Sequence, residues 1–312
     1  MTKEKQFISV VAYVHNNEEM IERFIETVME QCEKFIQSEL IFVDDYSSDK
    51  SIEVIEKYFK DYPSEYIVSI VKLGRYHGME AAMNAGRDIA IGDFVYEFDS
   101  LFVDYDGNII MDAYYKCLEG HDVVMVSTDV PIKLTSRLFY KIFNTVAYSH
   151  SNIGQVSFRL LSRRGINRVM SMGVDIPYRQ VIYLNSGLST ASIKYKSLTG
   201  NRPAKNDKST ERIDLALDSF IFFTNAIQRT ALLIATLFAL LSLSTIIYAI
   251  ISRVLGYHHG MGWLSTMLFM ALGFMGMFGF LAVIVKYLSV LVDLVFKRQK
   301  YLISDIKKIA SK

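Results

Sequence analysis

The segment VYEFDSLFVDYDG, residues 95–107, sets the carboxylates of Glu97, Asp99, Asp104 and Asp106 at and beyond the end of an apolar run. Carboxylate oxygens suit hard divalent cations, and a bound Mg2+ or Mn2+ would neutralise a diphosphate as it leaves. The spacing leaves three readings open: a working metal site, a degenerate one, or an acidic turn. A calcium loop at DYDGN is excluded, because its glycine falls at the fourth position instead of the sixth and Tyr115 stands where a bidentate glutamate is needed. Two more polar clusters end apolar runs: His15–Asn17 after FISVVAYV, and Asp44 and Asp45 after ELIFV. A carboxylate in such a place can accept a hydrogen bond from a base N–H or from ribose hydroxyls. No GxGxxG follows the first apolar run and no GxxxxGK[ST] occurs, so a dinucleotide fingerprint and a P-loop are both absent.

The elements that must position these residues read as strand then helix, repeated. FISVVAYV, ELIFVDD, YIVSIVKL, DFVYEFD and HDVVMVS are short apolar or β-rich runs. Between them lie EEMIERFIETVMEQCEKFI, SSDKSIEVIEKYFKDY, GMEAAMNAGRDIAIG and NIIMDAYYKCLEG, with helical spacing and capping residues: Asn16 or Asn17 for the first, Ser48 or Asp49 for the second. Strands alternating with helices predict an α/β, Rossmann-like fold, with a mostly parallel sheet covered on both faces. In such sheets ligands sit outside the carboxyl ends of the strands. That edge would gather the three polar clusters, which lie about 30 to 80 residues apart in the chain.

The net charge of +1 gives no electrostatic support for a nucleic-acid partner. Cys32 and Cys117 lie far apart in no ligand spacing and read as buried, reduced thiols. The first apolar run, ISVVAYV, is too short for a signal-peptide core with a cleavage site. Two later segments differ from the rest: residues 231–251 and 263–285 are free of charge over 21 and 23 residues. At about 1.5 Å per residue each covers roughly 30 Å, a bilayer core, which predicts two transmembrane helices. Arg202, Lys205, Lys208, Arg212 and Arg229 precede the first; Lys286, Lys297, Arg298, Lys300, Lys307 and Lys308 follow the second; the loop between holds only Arg253. This asymmetry predicts cytoplasmic N- and C-termini, with Tyr257 and Trp263 at the outer interface. Residues 209–230 and 286–312 mix apolar and charged residues and read as amphipathic helices on the inner leaflet, or as helices packed on the soluble domain. Gly273, Gly276 and Gly279 permit close approach of a helix from the same chain or from a second copy in a homo-oligomer.

Several of these stretches resemble a known family. FVDDYSSDKS resembles the VDDxSxD motif of family 2 inverting glycosyltransferases of GT-A fold. LGRYHGMEAAMNAGRDIAIGDFVYEFD, SRLFYKIFN, SFRLLSRR and LALDSFIFFTNAIQR resemble, in the same order, the blocks of its polyprenyl-phosphate glycosyltransferases, such as the dolichol-phosphate mannose synthase and bactoprenol glucosyl transferase group. The resemblance implies residues 1–208 as a nucleotide-sugar-binding catalytic domain, a UDP-linked donor ahead of GDP- or dTDP-linked ones, a polyprenyl (undecaprenyl) phosphate acceptor in the bilayer, and a role in cell-envelope glycan synthesis at the inner membrane. It assigns Asp45, with Asp44, to the nucleotide base, and Asn16, Glu18 and Arg75 to the donor; helix capping is an equal alternative for Asn16. Arg137 falls in the SRLFYKIFN block, and Arg159 and Arg163 would neutralise donor or lipid phosphate, for which a guanidinium fork is well shaped.

The chain departs from the family pattern at Tyr13, Asn17, Tyr46, Met79, Leu101 and Ser157. Asp99 aligns with the first aspartate of a DxD, but the second, a metal ligand, falls on Leu101. The family's proposed base falls on Ser157. A divalent cation, Mg2+ or Mn2+, would then be held by Asp99 with Glu97, Asp104 or Asp106, held weakly, or replaced by arginines. A lipid phosphate is already anionic near neutrality, so a lost base at Ser157 would slow transfer without abolishing it. The alternative is a pseudo-enzyme that binds nucleotide or serves as a membrane scaffold.

Overall fold

The computed structural model describes residues 3–63, 65–130, 156–172, 179–199, 262–296 and 301–309, with scattered positions between 233 and 255. The fold divides into two units: residues 1–145, 149–215 and 299–312, and residues 146–148 and 216–298.

The first unit is built on an eight-stranded sheet of order β7-β5-β6-β4-β1-β2-β3-β8. Its strands are β1 (Glu4–Val14), β2 (Phe35–Asp44), β3 (Ile67–Leu73), β4 (Phe94–Phe98), β5 (Val123–Thr128), β6 (Phe158–Ser162), β7 (Thr190–Tyr195) and β8 (Ile303–Ile309). Pairs β1–β2, β1–β4, β2–β3 and β5–β7 are parallel; β6 runs antiparallel between β4 and β5, and β8 antiparallel beside β3. The expected mostly parallel α/β sheet is therefore present, with antiparallel insertions at β6 and β8.

The apolar runs form strands because both of their faces are covered. Successive side chains of a strand point to opposite faces. Accordingly Ile8, Val10, Ala12 and Val14 enter one core while Val11 and Tyr13 enter the other. Helices α1 (Ile21–Cys32), α2 (Ser51–Asp61) and α4 (Asn108–Leu118) contribute to the first core; α3 (Met79–Ile89), α5 (Arg163–Ser171) and α6 (Arg179–Asn185) contribute to the second. Helix α1 buries Ile21, Phe24, Ile25 and Val28, the i, i+3, i+4, i+7 stripe that its spacing predicts. Helix α3 lies so close to the sheet that a Cβ at Gly86 would stand 2.3 Å from Val11 Cγ1 and 2.6 Å from Val43 Cγ2.

Three expectations need correction. The first helix stops at Cys32, and Phe35 and Ile36 start β2. Neither Asn16 nor Asn17 caps it through its side chain: a 3-10 turn, Glu18–Met20, intervenes, and both amides bond elsewhere. The basic tail is not one amphipathic helix. Helix α7 (Trp263–Phe296) runs into it, and then residues 303–309 become strand β8. The otherwise open edge of β3 supplies backbone partners that decide this local conflict.

In the second unit, the positions described from 233 to 254 are helical, as is α7. Leu233, Leu237, Leu240, Leu243, Phe274, Met275, Phe278, Val285 and Leu288 are among its exposed apolar side chains. Among the described residues, no helix is long and apolar enough to cross a membrane. The amphipathic segment expected at 209–230 lies outside the described residues.

Candidate active site

The loops after β1, β2 and β3 meet at the carboxyl edge of the sheet and are fastened to one another by side chains. Asn16 sits at φ 52° and Tyr46 at φ 61°, left-handed backbone that non-glycine residues seldom adopt. Asn16 holds its conformation by accepting hydrogen bonds from Ser48 N, Ser48 Oγ and Asp49 N through its side-chain oxygen. Glu18 Oε2 accepts from Lys50 N, and Asp44 Oδ1 accepts from Ser47 N. These three side chains shape the edge.

Asp45 is fully buried at its centre. Oδ1 accepts from His77 N at 2.8 Å, and Oδ2 accepts from Gly78 N at 2.8 Å and Tyr13 Oη at 3.2 Å. Burial pushes its carboxyl above the usual value, while the two amides and the Tyr13 hydroxyl pull it back. Gly78, at φ 86°, lets the chain turn so that consecutive amides face one carboxylate. Both Asp45 oxygens are thus engaged with the 77–78 loop. Exposed side chains at this edge include Tyr46, Lys50, Arg75 and Tyr76, with the His15 ring 4.8 Å from that of Tyr76.

Below the end of β4 lies a buried acid–base cluster that the sequence did not announce. Arg179, fully buried at the start of α6, donates from Nε to Glu80 Oε2 (2.8 Å), from Nη1 to Glu97 Oε2 (2.8 Å) and from Nη2 to Asp99 Oδ1 (2.7 Å). Its backbone N also donates to Glu80. Arg159 stands opposite Glu97 in the β4–β6 register and donates to Asp99 Oδ2 at 2.8 Å. Tyr183 Oη donates to Glu97 Oε1 at 2.7 Å and accepts from Arg87 Nη1 at 3.0 Å. Burial pushes the Asp99 carboxyl up, but the guanidiniums of Arg159 and Arg179 outweigh it and lower it to about 2. Glu80, Glu97 and Asp99 face Arg87, Arg159 and Arg179, and Asp88 also lies 3.5 Å from Arg87. Glu80 lies in the EAA block; Arg179 lies in a stretch with no motif.

The expected metal set does not assemble. Glu97 and Asp99 are committed to arginines. Asp104 Oδ1 accepts from Tyr195 Oη at 2.6 Å and Oδ2 from Ser197 Oγ at 3.0 Å. Asp106 Oδ1 accepts from Asn108 N and Nδ2 at the start of α4. Among the described residues, no three His, Cys, Asp or Glu side chains group to hold a metal ion. The donor set present therefore does not fit a divalent cation. Leu101, where a second ligand would stand, is buried in the core.

Ser157 lies buried at the start of β6, its Oγ 2.7 Å from Tyr195 Oη. Arg163 is misplaced for a phosphate at this edge. Antiparallel β6 carries it to the amino end of β4, where its guanidinium donates to the carbonyls of Ala90 and Gly92. Arg137 lies outside the described residues. Both cysteines are free and buried, which pushes each thiol up to about 12.

An α/β sheet with interlocked polar loops at the carboxyl ends of its parallel strands defines a GT-A-like domain. The chain belongs to glycosyl transferase family 2, whose pattern it matches over residues 9–168, and it is a glycosyltransferase on that ground. An uncharacterized glycosyltransferase of Synechocystis sp. is 24% identical over 96% of this chain and 95% of its own. The prophage bactoprenol glucosyl transferase homolog of Escherichia coli is 32% identical over 53% of this chain and 55% of its own, so the chain spans about half of that relative. Among solved structures, glucosyl-3-phosphoglycerate synthase from Mycobacterium tuberculosis, in complex with Mn2+, UDP-glucose and phosphoglyceric acid, matches with a TM-score of 0.50. That match has 16% identity and covers 69% of this chain and 78% of the other. At that identity the likeness bears on fold alone.

Proposed function

We propose that the protein transfers a sugar, with inversion, from a nucleotide-sugar donor to a polyprenyl phosphate at the cytoplasmic face of a membrane. The observation that carries the acceptor is the second unit. Its exposed Leu, Met and Phe side chains from Leu233 to Leu288 have no reason to face water, and the sequence there holds two uncharged segments of bilayer length. A relative named for bactoprenol glucosyl transfer supports the same class of acceptor. The donor, UDP-linked first, would meet the loop edge, where Tyr46 and Tyr76 present aromatic faces and Arg75 a cation.

The acceptor phosphate oxygen attacks the anomeric carbon in line. The new C–O bond forms as the bond to the nucleoside diphosphate breaks, and the electron pair leaves with the diphosphate. The phosphate is already an anion, so no general base is required. Ser157, buried and bonded to Tyr195, accords with such a step. Membranes containing the protein, incubated with labelled nucleotide sugars and undecaprenyl phosphate, should yield labelled lipid. No labelled lipid with any common donor, beside an active control, would overturn the reading. Transfer to a free sugar after deletion of 231–285 would indicate a soluble acceptor instead.

The pairing of Asp99 with two arginines favours one rival, a pseudo-enzyme that keeps the edge without turnover. Calorimetric binding of nucleotide, with no labelled product, is its signature.

A further inference from the structure

Strand β8 ends the sheet. It pairs with β3 on one side, and among the described residues no strand pairs with its other side. Such an edge presents a row of backbone N–H and C=O groups that can take a further strand. Ser304, Asp305, Ile306, Lys307 and Lys308 are all exposed, so the strand is uncovered on its faces as well. Lysines on an edge strand by themselves read as a guard against pairing. Their order in ISDIKKI argues the other way, because the segment is complementary to itself.

Two copies of a strand related by a two-fold axis pair antiparallel, and wherever residue i lies opposite j, j lies opposite i. Residues directly opposite one another share a face of the sheet, so the axis passes through one residue and its own copy. Centred on Ile306, the pairing sets Ile306 against itself, Asp305 against Lys307 of the second copy, and Lys307 against Asp305 of the second copy. Centred one residue to either side, it sets Asp305 against Asp305 or Lys307 against Lys307, and like charges directly opposite are destabilising. The register on β3 puts Asp305 and Lys307 on one face, opposite Lys72 and Ile70, and Ile306 on the other, opposite Val71. The charge pairs would thus line one face and the isoleucines meet on the other. The irregularity in β8 falls between Ile303 and Asp305, outside these three pairs. Lys307 already meets Glu56 of α2 at 2.8 Å, but its side chain is half exposed and an ammonium has three donors, so a second acid is within its capacity.

We propose that β8 is an interface for a second copy of this chain, the two copies pairing edge to edge, antiparallel and centred on Ile306. The inference stands on the strand and not on sugar transfer, so its test needs neither donor nor lipid acceptor. The full chain is purified in detergent and oxidised with copper phenanthroline, and non-reducing gels are read for a covalent dimer. At the axis the two Cα atoms of residue 306 stand about 5 Å apart, within the reach of a disulfide, so Ile306→Cys should cross-link. Lys308 lies opposite Ser304 of the second copy, which puts its own copy roughly 14 Å away along the strands, so Lys308→Cys should not. Wild type should not cross-link either, since Cys32 and Cys117 are buried. Light scattering in the same detergent should find wild type dimeric, and Asp305→Lys, which sets lysine against lysine, should dimerise about tenfold more weakly or worse. A monomeric wild type would overturn the proposal. So would equal cross-linking at 306 and 308, or a dimer that Asp305→Lys leaves unchanged, which would put the association elsewhere in the chain. If Asp305→Lys does not fold, by circular dichroism, the two cysteine variants decide: cross-linking at 306 and not at 308 upholds the interface, and none at 306 overturns it.

Discussion

Asp99 owes its low pKa to two guanidiniums acting against burial, and this has a sign. Its carboxyl falls from an ordinary 3.8 to about 2 on folding, so the stabilisation is complete above about 3.8 and is lost as pH falls toward 2. The shift corresponds to about 2 kcal/mol. Acid titration of wild type followed by circular dichroism should show an unfolding limb in that window, reduced in Asp99→Asn. Asp45 behaves in the opposite sense, since burial raises its carboxyl and its ionised form is tolerated only because three donors meet it. Asp45→Ala leaves the His77 and Gly78 amides without their acceptor, at about 1–3 kcal/mol. Nucleotide affinity should fall with it by roughly tenfold or more, measured by calorimetry against Asp45→Asn, which keeps one acceptor oxygen.

At the scale of elements, two contacts carry the edge. Helix α3 must lie on β1 and β2 at the distance Gly86 sets, because it delivers Glu80 to the cluster and starts just after Gly78. Gly86→Ala drives a methyl into Val11 and Val43; overpacking of this kind costs about 1–3 kcal/mol, more than the helix propensity gained. Thermal denaturation should show a drop of several degrees. The second contact joins Tyr301 and Leu302, which lead into β8, to the 74–78 loop and α3. Leu302 O accepts from Gly74 N, Leu302 N donates to His77 Nε2, and Tyr301 Oη donates to Asp88 on α3. His77 Nδ1 faces the Arg75 carbonyl, which can only accept, so Nδ1 carries the proton and Nε2 is the acceptor. Hydrogen exchange of amides 74–78 should quicken about tenfold in His77→Ala and be largely restored in His77→Gln, which returns an acceptor.

Over the whole molecule, what the sequence disclosed and what it withheld follow one physical rule. Strands β1 to β5 and the polar edge were legible because each rests on a local run: FISVVAYV or ELIFVDD is apolar enough to demand burial on two faces, and its polar end marks the ligand edge. Arg179 was not legible, because its carboxylates lie 80, 82 and 99 residues away and no local pattern encodes them. Strand β8 was misread for a related reason. Ile303, Ile306 and Ile309 repeat at helical spacing, and only the distant edge of β3 overrides it. Because Glu97 and Asp99 are committed to Arg159 and Arg179, labelled-lipid formation in membranes should be unchanged by EDTA and by added Mn2+, whereas a metal-dependent relative assayed beside it loses activity in EDTA.

Strand β8 also sets a timetable. Leu302, just before it, and Ser304, within it, bond to His77 and Lys72, residues 225 and 232 positions away. At about 5–20 residues per second of synthesis, β3 waits between roughly ten and fifty seconds for its neighbour. During that interval both long apolar segments emerge, and the bare edge of β3 is open to any passing strand. The contacts of Leu302 with Gly74 and His77 can thus form only after both apolar segments have been synthesised, so an incompletely synthesised chain lacks this outer fastening of its binding edge.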